Sequence, residues 1–515
     1  MIGHDPTRTY RAAVIGAGSG GLTAAIGLAG FGHDVVLIEG GRIGGDCTNV
    51  GCVPSKSLLH AARTGAADPL AHARAKRDHL AERETEAIVA HEQVHLVRGW
   101  ASLTSAGRPH VVRVDDGDTT HLVRAEHVVI AGGSQPITLD LDGLDPGRVV
   151  TNHELFELES PPNRLLIVGG GAIAVEMASA FAAIGTQVDI VELQDRLLAT
   201  EDPLITEVVE RSLRSQGVRL HLGTTIERFH DHEHHQAAHL ASGTIVEGVD
   251  RVLMAIGRRP RLDGLALDRA GVATNRAGIV TDDWGRTSVD GIWAVGDITG
   301  STLTTHGANA IGRRTVRAIA LPRLPKVGRV GVIPNATYGE PEVASVGMSL
   351  ADLATVGESS RRRIVVDYGD IDRGYTDDIV DGRLVVDVER FTGRILRAAI
   401  VGPGASDLIG MFTIAIGHGI GLRSLFGTVH PYPSHAEIVR RVTDDFARVT
   451  FSNLPREWLA MGRGRLSKIA QRSRCEWSGS TTANPASIQA RIPPIRSATS
   501  VNPRSSRLAA ASDEL

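Results

Sequence analysis

Cys47 and Cys52, separated by four residues, sit in Gly44-Gly45-Asp46-Cys47-Thr48-Asn49-Val50-Gly51-Cys52-Val53-Pro54-Ser55-Lys56, the stretch richest in chemistry. Two thiols at that spacing, flanked by glycines, can close a small disulfide ring on a helix terminus. The thiolate is the reactive form of cysteine, and a helix N-terminus with a lysine nearby lowers a thiol pKa. Lys56 supplies the lysine. Zinc is the chemical rival for paired cysteines, but no second Cys or His pair offers ligand spacing, so no metal is expected. Two buried, inert cysteines are the plain alternative. The remaining cysteine, Cys475, lies far away. Close pairing of two out of three cysteines reads as redox chemistry in a reducing compartment, not as a secreted disulfide framework.

A dithiol needs a source of electrons, and two glycine clusters point to nucleotides. The strand-like run Ala12–Ile15 meets Gly16-x-Gly18-x-x-Gly21, which opens a helical pattern from Leu22 to Ala29; a second strand, Val35–Ile38, follows and ends at Glu39. This is a βαβ unit whose glycines let the backbone approach a pyrophosphate at a helix N-terminus. Glu39 is placed to accept hydrogen bonds from adenosine ribose hydroxyls. The arrangement recurs: strand Leu165–Val168, Gly169-x-Gly171-x-x-Ala174, a helical stretch to Ala183, strand Val188–Val191, and Glu192. A carboxylate at Glu192 favours the free 2′-hydroxyl of NAD(H) over the phosphate of NADP(H), which Ala174 nonetheless leaves open.

The 515 residues exceed one ordinary core and predict about three domains. A formal charge of −4 creates no field for nucleic acid or anionic lipid, and aromatics are sparse at 4%, so a small soluble substrate is expected. Neither a leader pattern nor a bilayer-length apolar run is visible, which reads as cytoplasmic. Charged, helix-friendly residues from Asp68 to His95 predict a surface helix without chemistry.

In combination these motifs resemble the dithiol pyridine nucleotide-disulfide oxidoreductases, the family of dihydrolipoamide dehydrogenase, glutathione reductase and mercuric reductase, from about Tyr10 to Ala447. Val128–Pro136 resembles the family's Ala-Thr-Gly-type strand, with Ala131-Gly132-Gly133 departing at the middle residue. Met254-Ala255-Ile256-Gly257-Arg258-Arg259-Pro260 is similar to a second link between the nucleotide domains. Gly291-Ile292-Trp293-Ala294-Val295-Gly296-Asp297 resembles the second FAD motif, and Tyr338–Gly347 the entry to a homodimer interface domain.

The resemblance implies an α/β fold: two Rossmann-like dinucleotide-binding domains, for FAD and NAD, and a C-terminal α+β dimerisation domain. The expected boundaries are 10–150 and 281–326 for a split FAD domain, 151–280 for the NAD(P) domain, 327–453 for the interface domain, and 454–515 for a disordered tail. Gly45, Gly133 and Gly257 join the cofactor-binding set, and Asp297 is implied to bond the ribityl chain. Cys52 would be the flavin-facing thiol and Cys47 the exchanging one, with Lys56 by the flavin and paired with Glu176. The implied function is an FAD-dependent NAD(P)H oxidoreductase, passing electrons through Cys47–Cys52 to a disulfide or other small electron acceptor, as a homodimer.

One segment departs from the family. Where disulfide reductases carry His-Pro-Thr-x-x-Glu, donated by the partner subunit, this chain reads His430-Pro431-Tyr432-Pro433-Ser434-His435-Ala436-Glu437. Alignment on Glu437 puts Tyr432 at the acid/base position, and a phenol with pKa near 10 is a poor proton shuttle at neutral pH. His430 or His435 is the alternative acid. Mercuric reductases also carry tyrosine there, so the likeness leans toward that branch, but their terminal Cys-Cys pair is missing and Cys475 stands alone. A soft-metal reductase, a dihydrolipoamide dehydrogenase and a slow-turnover redox or metal sensor are therefore alternatives. The histidines at 230, 232, 234, 235 and 239 fall at an expected hairpin tip, where a solvated loop is favoured over a metal site.

Overall fold

The computed structural model describes residue 5 and residues 7–105, 107–231, 235–301, 303–324, 331–379 and 381–452. Cys475, the tail from 454, and histidines 232 and 234 lie outside them.

Apolar runs without alternation become parallel strands buried on both faces. In Thr9–Ile15, Ala12 and Val14 pack into one core and Ala13 and Ile15 into another. That strand pairs in parallel with Val35–Glu39 and with Thr120–Ile130. Val94–Arg98 extends the sheet beyond Val35–Glu39. On the far side, Thr120–Ile130 pairs antiparallel with His110–Asp115 and, through Val128–Ile130, in parallel with Ile292–Ala294. The late segment at 292–294 thus returns to the first sheet.

A second parallel sheet runs in the order Arg219–Leu222, Gln187–Glu192, Arg164–Val168, Arg251–Met254, Val149–Val150. The two units repeat each other down to single bonds. Gly16 N–H donates to Ile38 O and Gly169 N–H to Val191 O, both at 2.8 Å; Ala131 N–H donates to Ile15 O at 2.8 Å and Ala255 N–H to Val168 O at 2.9 Å. Gly16 and Gly169 have φ of +99° and +104°, and a Cβ on either would lie 2.4 or 2.5 Å from a carbonyl oxygen of the neighbouring crossover, so glycine is required at both turns. Ser134–Pro136 and Arg258–Pro260 pair antiparallel as the two links between the units.

The C-terminal region is a five-stranded antiparallel sheet, in the order Asn335–Thr337, Val343–Gly347, Ile395–Val401, Arg383–Glu389, Arg361–Asp367. Helices Ala405–Gly417 and Glu437–Ser452 contribute Ile409, Phe412, Val442 and Phe446 to its core. The mixed α/β architecture expected above is what the chain adopts.

The reading of residues 68–95 needs correction. The helix spans Pro69–Val89, while Val94 and His95 already belong to a strand. It is a surface helix with one packed face: Leu70, Ala73, Arg77, Ala81 and Ile88 are buried, with Arg77 held by Asp78 and Glu157. Composition concealed this because long charged side chains cover apolar surface as well as face water. Among the described residues, no helix is long and apolar enough to cross a membrane.

Candidate active site

The two cysteines lie on successive helices. Cys47 belongs to Gly45–Val50 and Cys52 begins Cys52–Arg63. Gly51 lets the two meet, since a Cβ there would come within 2.8 Å of the Asp46 carbonyl oxygen. Pro54 costs nothing in the first turn, where N–H groups have no intrahelical acceptor. From behind, Glu84 accepts from the Thr48 hydroxyl at 3.0 Å, so the helix from Pro69 supports the dithiol segment.

Both sulfurs are free thiols, and their acidities diverge. Cys52 is pulled down to about 6, first by the hydrogen bond from Cys47, with Lys56 and Thr305 adding to this against the cost of burial. Cys47 is pushed far up, because it donates that bond and is half-buried. The Thr305 hydroxyl stands 3.6 Å from the Cys52 sulfur.

Lys56 Nζ donates to both carboxylate oxygens of Glu176, at 2.7 and 2.9 Å. Glu176 lies on Ala172–Ala183 of the second nucleotide unit and is 5% exposed. It also accepts from the Tyr338 N–H at 3.0 Å, while the Lys56 ammonium sits 4.5 Å from the centre of the Tyr338 ring.

A cavity of about 1960 Å³ runs past these groups. It exceeds the roughly 300–1,000 Å³ of a single small-ligand pocket and suits two dinucleotides. Gly16, Gly18, Glu39, Gly45, Gly133 and Asp297 line one arm, and Gly169, Gly171, Glu176, Glu192 and Gly257 the other, with Cys47, Cys52 and Lys56 between. Gly21 and Ala174 stand behind the lining. Helices Ser19–Gly30 and Ala172–Ala183 carry no side-chain cap, so their first N–H groups are available to phosphate. Glu39 accepts from Ala17 N–H at 2.6 Å and Gly41 N–H at 2.7 Å; Glu192 accepts from Gly170 N–H and, at 2.7 Å, Gln194 N–H. Each carboxylate ties its glycine loop to the rim and keeps lone pairs for a ribose.

These features fit FAD in the first arm. A Cβ on Gly21 would lie 1.8 Å from the Gly16 carbonyl oxygen, so the helix starts as close to the phosphate turn as backbone allows. Gly21→Val should therefore yield protein that elutes with less than a tenth of the parent's FAD, read as the flavin-to-protein absorbance ratio. Full flavin content in that variant would contradict the cradle.

Sequence reasoning missed a polar chain between Asp297 and the dithiol. The Ser134 hydroxyl donates to Asp297 Oδ2 at 2.6 Å and accepts from Arg258 Nε at 2.8 Å. Arg258 also pairs with Asp46, beside Cys47, and reaches Asn152 Oδ1 at 3.2 Å. Burial raises the Asp297 carboxyl pKa, opposed by these donors. Arg258 stood inside a recognised motif, but nothing local marked Ser134 or Asp46 as its partners.

The 430–437 segment is elsewhere in the chain: none of its residues lines the cavity. The Tyr432 phenol donates to Asp372 Oδ2 at 2.7 Å, and that carboxylate raises its pKa. His435 Nε2 lies 3.2 Å from Asp377 Oδ2, and burial lowers the pKa of His430. Glu437, 4% exposed, is held by Arg440, and its Oε2 has no hydrogen-bond partner. In the histidine hairpin, the rings of His230 and His239 are 4.7 Å apart, and no group of three ligating side chains occurs among the described residues.

Two nucleotide cradles converging on one dithiol define a dinucleotide-dependent dithiol oxidoreductase. The chain belongs to the pyridine nucleotide-disulphide oxidoreductase family: residues 10–313 match the family's model and residues 333–443 its dimerisation domain. It is 31% identical over 464 residues to dihydrolipoyl dehydrogenase 3 of Pseudomonas aeruginosa, covering 85% of this chain and 98% of that one. To the mercuric reductase of Streptomyces lividans it is 32% identical over 465 residues, covering 85% and 96%. Among solved structures, the Cu(II) complex of the HOCl-induced flavoprotein disulfide reductase RclA from Escherichia coli superposes with a TM-score of 0.78 at 28% identity, covering 85% of this chain and 99% of that one. Family members bind FAD and NAD(P)H, and the chain is an FAD-dependent oxidoreductase with a dimerisation domain that supports a homodimer.

Proposed function

We propose that the chain uses NADH to reduce a small disulfide or comparable two-electron oxidant through Cys47 and Cys52. The observation that carries this is the convergence of both glycine-lined arms of the cavity on Cys47, Cys52 and the Lys56–Glu176 pair, with Cys52 the sulfur whose pKa is lowered. FAD, which Gly16, Gly18, Glu39, Gly45, Gly133 and Asp297 would hold, supplies acceptance of hydride from reduced nicotinamide and two-electron delivery to a disulfide.

Around it, the protein's own groups do the rest. Lys56, fixed by Glu176, sets positive charge beside the Cys52 thiolate. Cys47 gives up its Sγ proton and attacks one sulfur of the acceptor, forming a mixed disulfide while the first thiol leaves with a proton. Cys52 then attacks Cys47 Sγ; the second thiol leaves, takes a proton, and the Cys47–Cys52 disulfide forms. Within one chain the 430–437 segment lies away from the cavity, and by the family resemblance it would act at the cavity of a second copy. Tyr432, whose pKa Asp372 raises, is a weak acid and no base there, so the Cys47 proton passes to the first leaving thiol and the second thiol takes its proton from water.

NADH is favoured over NADPH because Glu192 occupies the ribose position. The nearby Arg196 is committed to Asp195 and to the Ala199 carbonyl at 3.0 Å. A soft-metal reductase is the second reading, favoured by Tyr432 and by the likeness to a mercuric reductase. Steady-state rates with NADH and NADPH against low-molecular-weight disulfides, dihydrolipoamide's disulfide and Hg(II) decide. The proposal expects NADH with a disulfide to give the highest kcat/KM. Turnover with Hg(II) alone would replace it with the second reading, and NADPH preference would overturn the coenzyme assignment.

A further inference from the structure

We infer that Tyr338 is a positioning residue for Lys56, through which the C-terminal sheet holds the lysine at the Cys52 thiolate. The inference rests on the proposed role of Cys52. Lys56 has two constraints in this structure, the Glu176 carboxylate and the face of the Tyr338 ring, 4.5 Å from its nitrogen. An aromatic face attracts an ammonium through its quadrupole, and the attraction grows where water is thinned out. The ring is anchored in turn, because the Tyr338 N–H donates to Glu176 Oε1 at 3.0 Å. Dithiol helix, second nucleotide helix and C-terminal unit therefore meet on one ion pair. Tyr338 follows the edge strand Asn335–Thr337 and stands 37% exposed at the cavity wall, so replacing its ring leaves the cores untouched.

The charged and titratable groups facing Cys52 come from several elements: Cys47 from the preceding helix, Lys56 from its own, Glu176 from the second nucleotide unit, and Tyr338 from the C-terminal unit. Glu176 opposes Lys56 at the sulfur and raises its pKa. The thiolate therefore gains only where the ammonium lies nearer than the carboxylate. The ring, 4.5 Å from the lysine nitrogen, is the second contact that keeps the ammonium from following the carboxylate. Without the aromatic face, Lys56 swings with Glu176 and the thiolate loses part of its stabilisation.

The test uses FAD-loaded protein in a Cys47→Ser background, where serine retains a donor to Cys52 and the long-wavelength thiolate-to-flavin absorbance is followed against pH. Tyr338→Leu and Tyr338→Gln should raise the midpoint by about half a unit, the scale of one cation–π contact. Tyr338→Phe, which keeps the ring, should leave it unchanged. Equal midpoints in parent, leucine and glutamine proteins would overturn the inference, as would loss of FAD from both non-aromatic variants, which would assign the ring to cofactor retention. Absence of the band from the Tyr338-containing parent would instead defeat the Cys52 assignment itself.

Discussion

Replacing Cys52 by serine is expected to lower turnover with any disulfide acceptor by roughly 10³-fold or more, the loss typical of removing a reacting group. FAD content and reduction of the bound flavin by NADH should persist, because Cys52 contributes to neither cradle. The pH dependence follows from the sign of its shift. Cys52 is moved down from 9.0 to about 6, so above that pH the thiolate is in place, and as pH falls through 6 it is protonated. The rate of iodoacetamide trapping and the long-wavelength absorbance should both fall there. Cys47, moved in the opposite direction, should add no second midpoint in the neutral range. A Cys52→Ser protein that still reduces disulfides at the parent's rate would show that electrons leave the flavin by another route.

Lys56→Met should combine a chemical and a structural effect. Chemically, it removes the cation that lowers the Cys52 pKa, so the alkylation midpoint should rise by about one unit. Structurally, it strands the Glu176 carboxylate, whose side chain is 7% exposed. Breaking a fully buried pair costs roughly 3–5 kcal/mol, but the Lys56 side chain is 33% exposed, and solvent screening reduces the expectation to about 2 kcal/mol. Denaturant midpoints measure this. Lys56→Met with Glu176→Gln should recover most of the stability but only part of the midpoint, since the double variant removes the carboxylate that raises the Cys52 pKa and supplies no cation to lower it. Full recovery of both would place the effect in packing.

The contrast between those groups shows what a sequence exposes. The glycines at 16, 18 and 21, their echo at 169 and 171, and the carboxylates at 39 and 192 are local patterns, each a strand, turn and helix within one unit. Backbone geometry demands those residue types at those places. Cys47 and Cys52 are also local. Lys56 and Glu176, 120 residues apart, came together only through resemblance to a family.

Thr305 near Cys52, Ser134 on Asp297 and Arg258 on Asp46 lie 253, 163 and 212 residues from their partners. Threonine, serine and arginine carry no periodic signal of such a role. Tyr338 was visible only as part of a stretch resembling a domain entry; its contact with Lys56 depends on how the C-terminal sheet docks. The Asp68–His95 reading gave the surface helix but neither its end nor its buried face. Composition separates charged from apolar positions but does not show that Arg77 is buried between two carboxylates. The 430–437 segment marks a third limit, because its departure from the family pattern is plain in the sequence while none of its residues lines the cavity of its own chain.

The central claim is that electrons pass between the flavin and the Cys47–Cys52 pair. Anaerobic titration of the FAD-loaded protein with NADH, with thiols counted by alkylation at each step, tests it most directly. The account predicts uptake of about four electrons, two for the flavin and two for the disulfide, with two thiols becoming alkylatable and long-wavelength absorbance appearing as they do. Saturation at two electrons, with the thiol count unchanged from the oxidised protein, would contradict it.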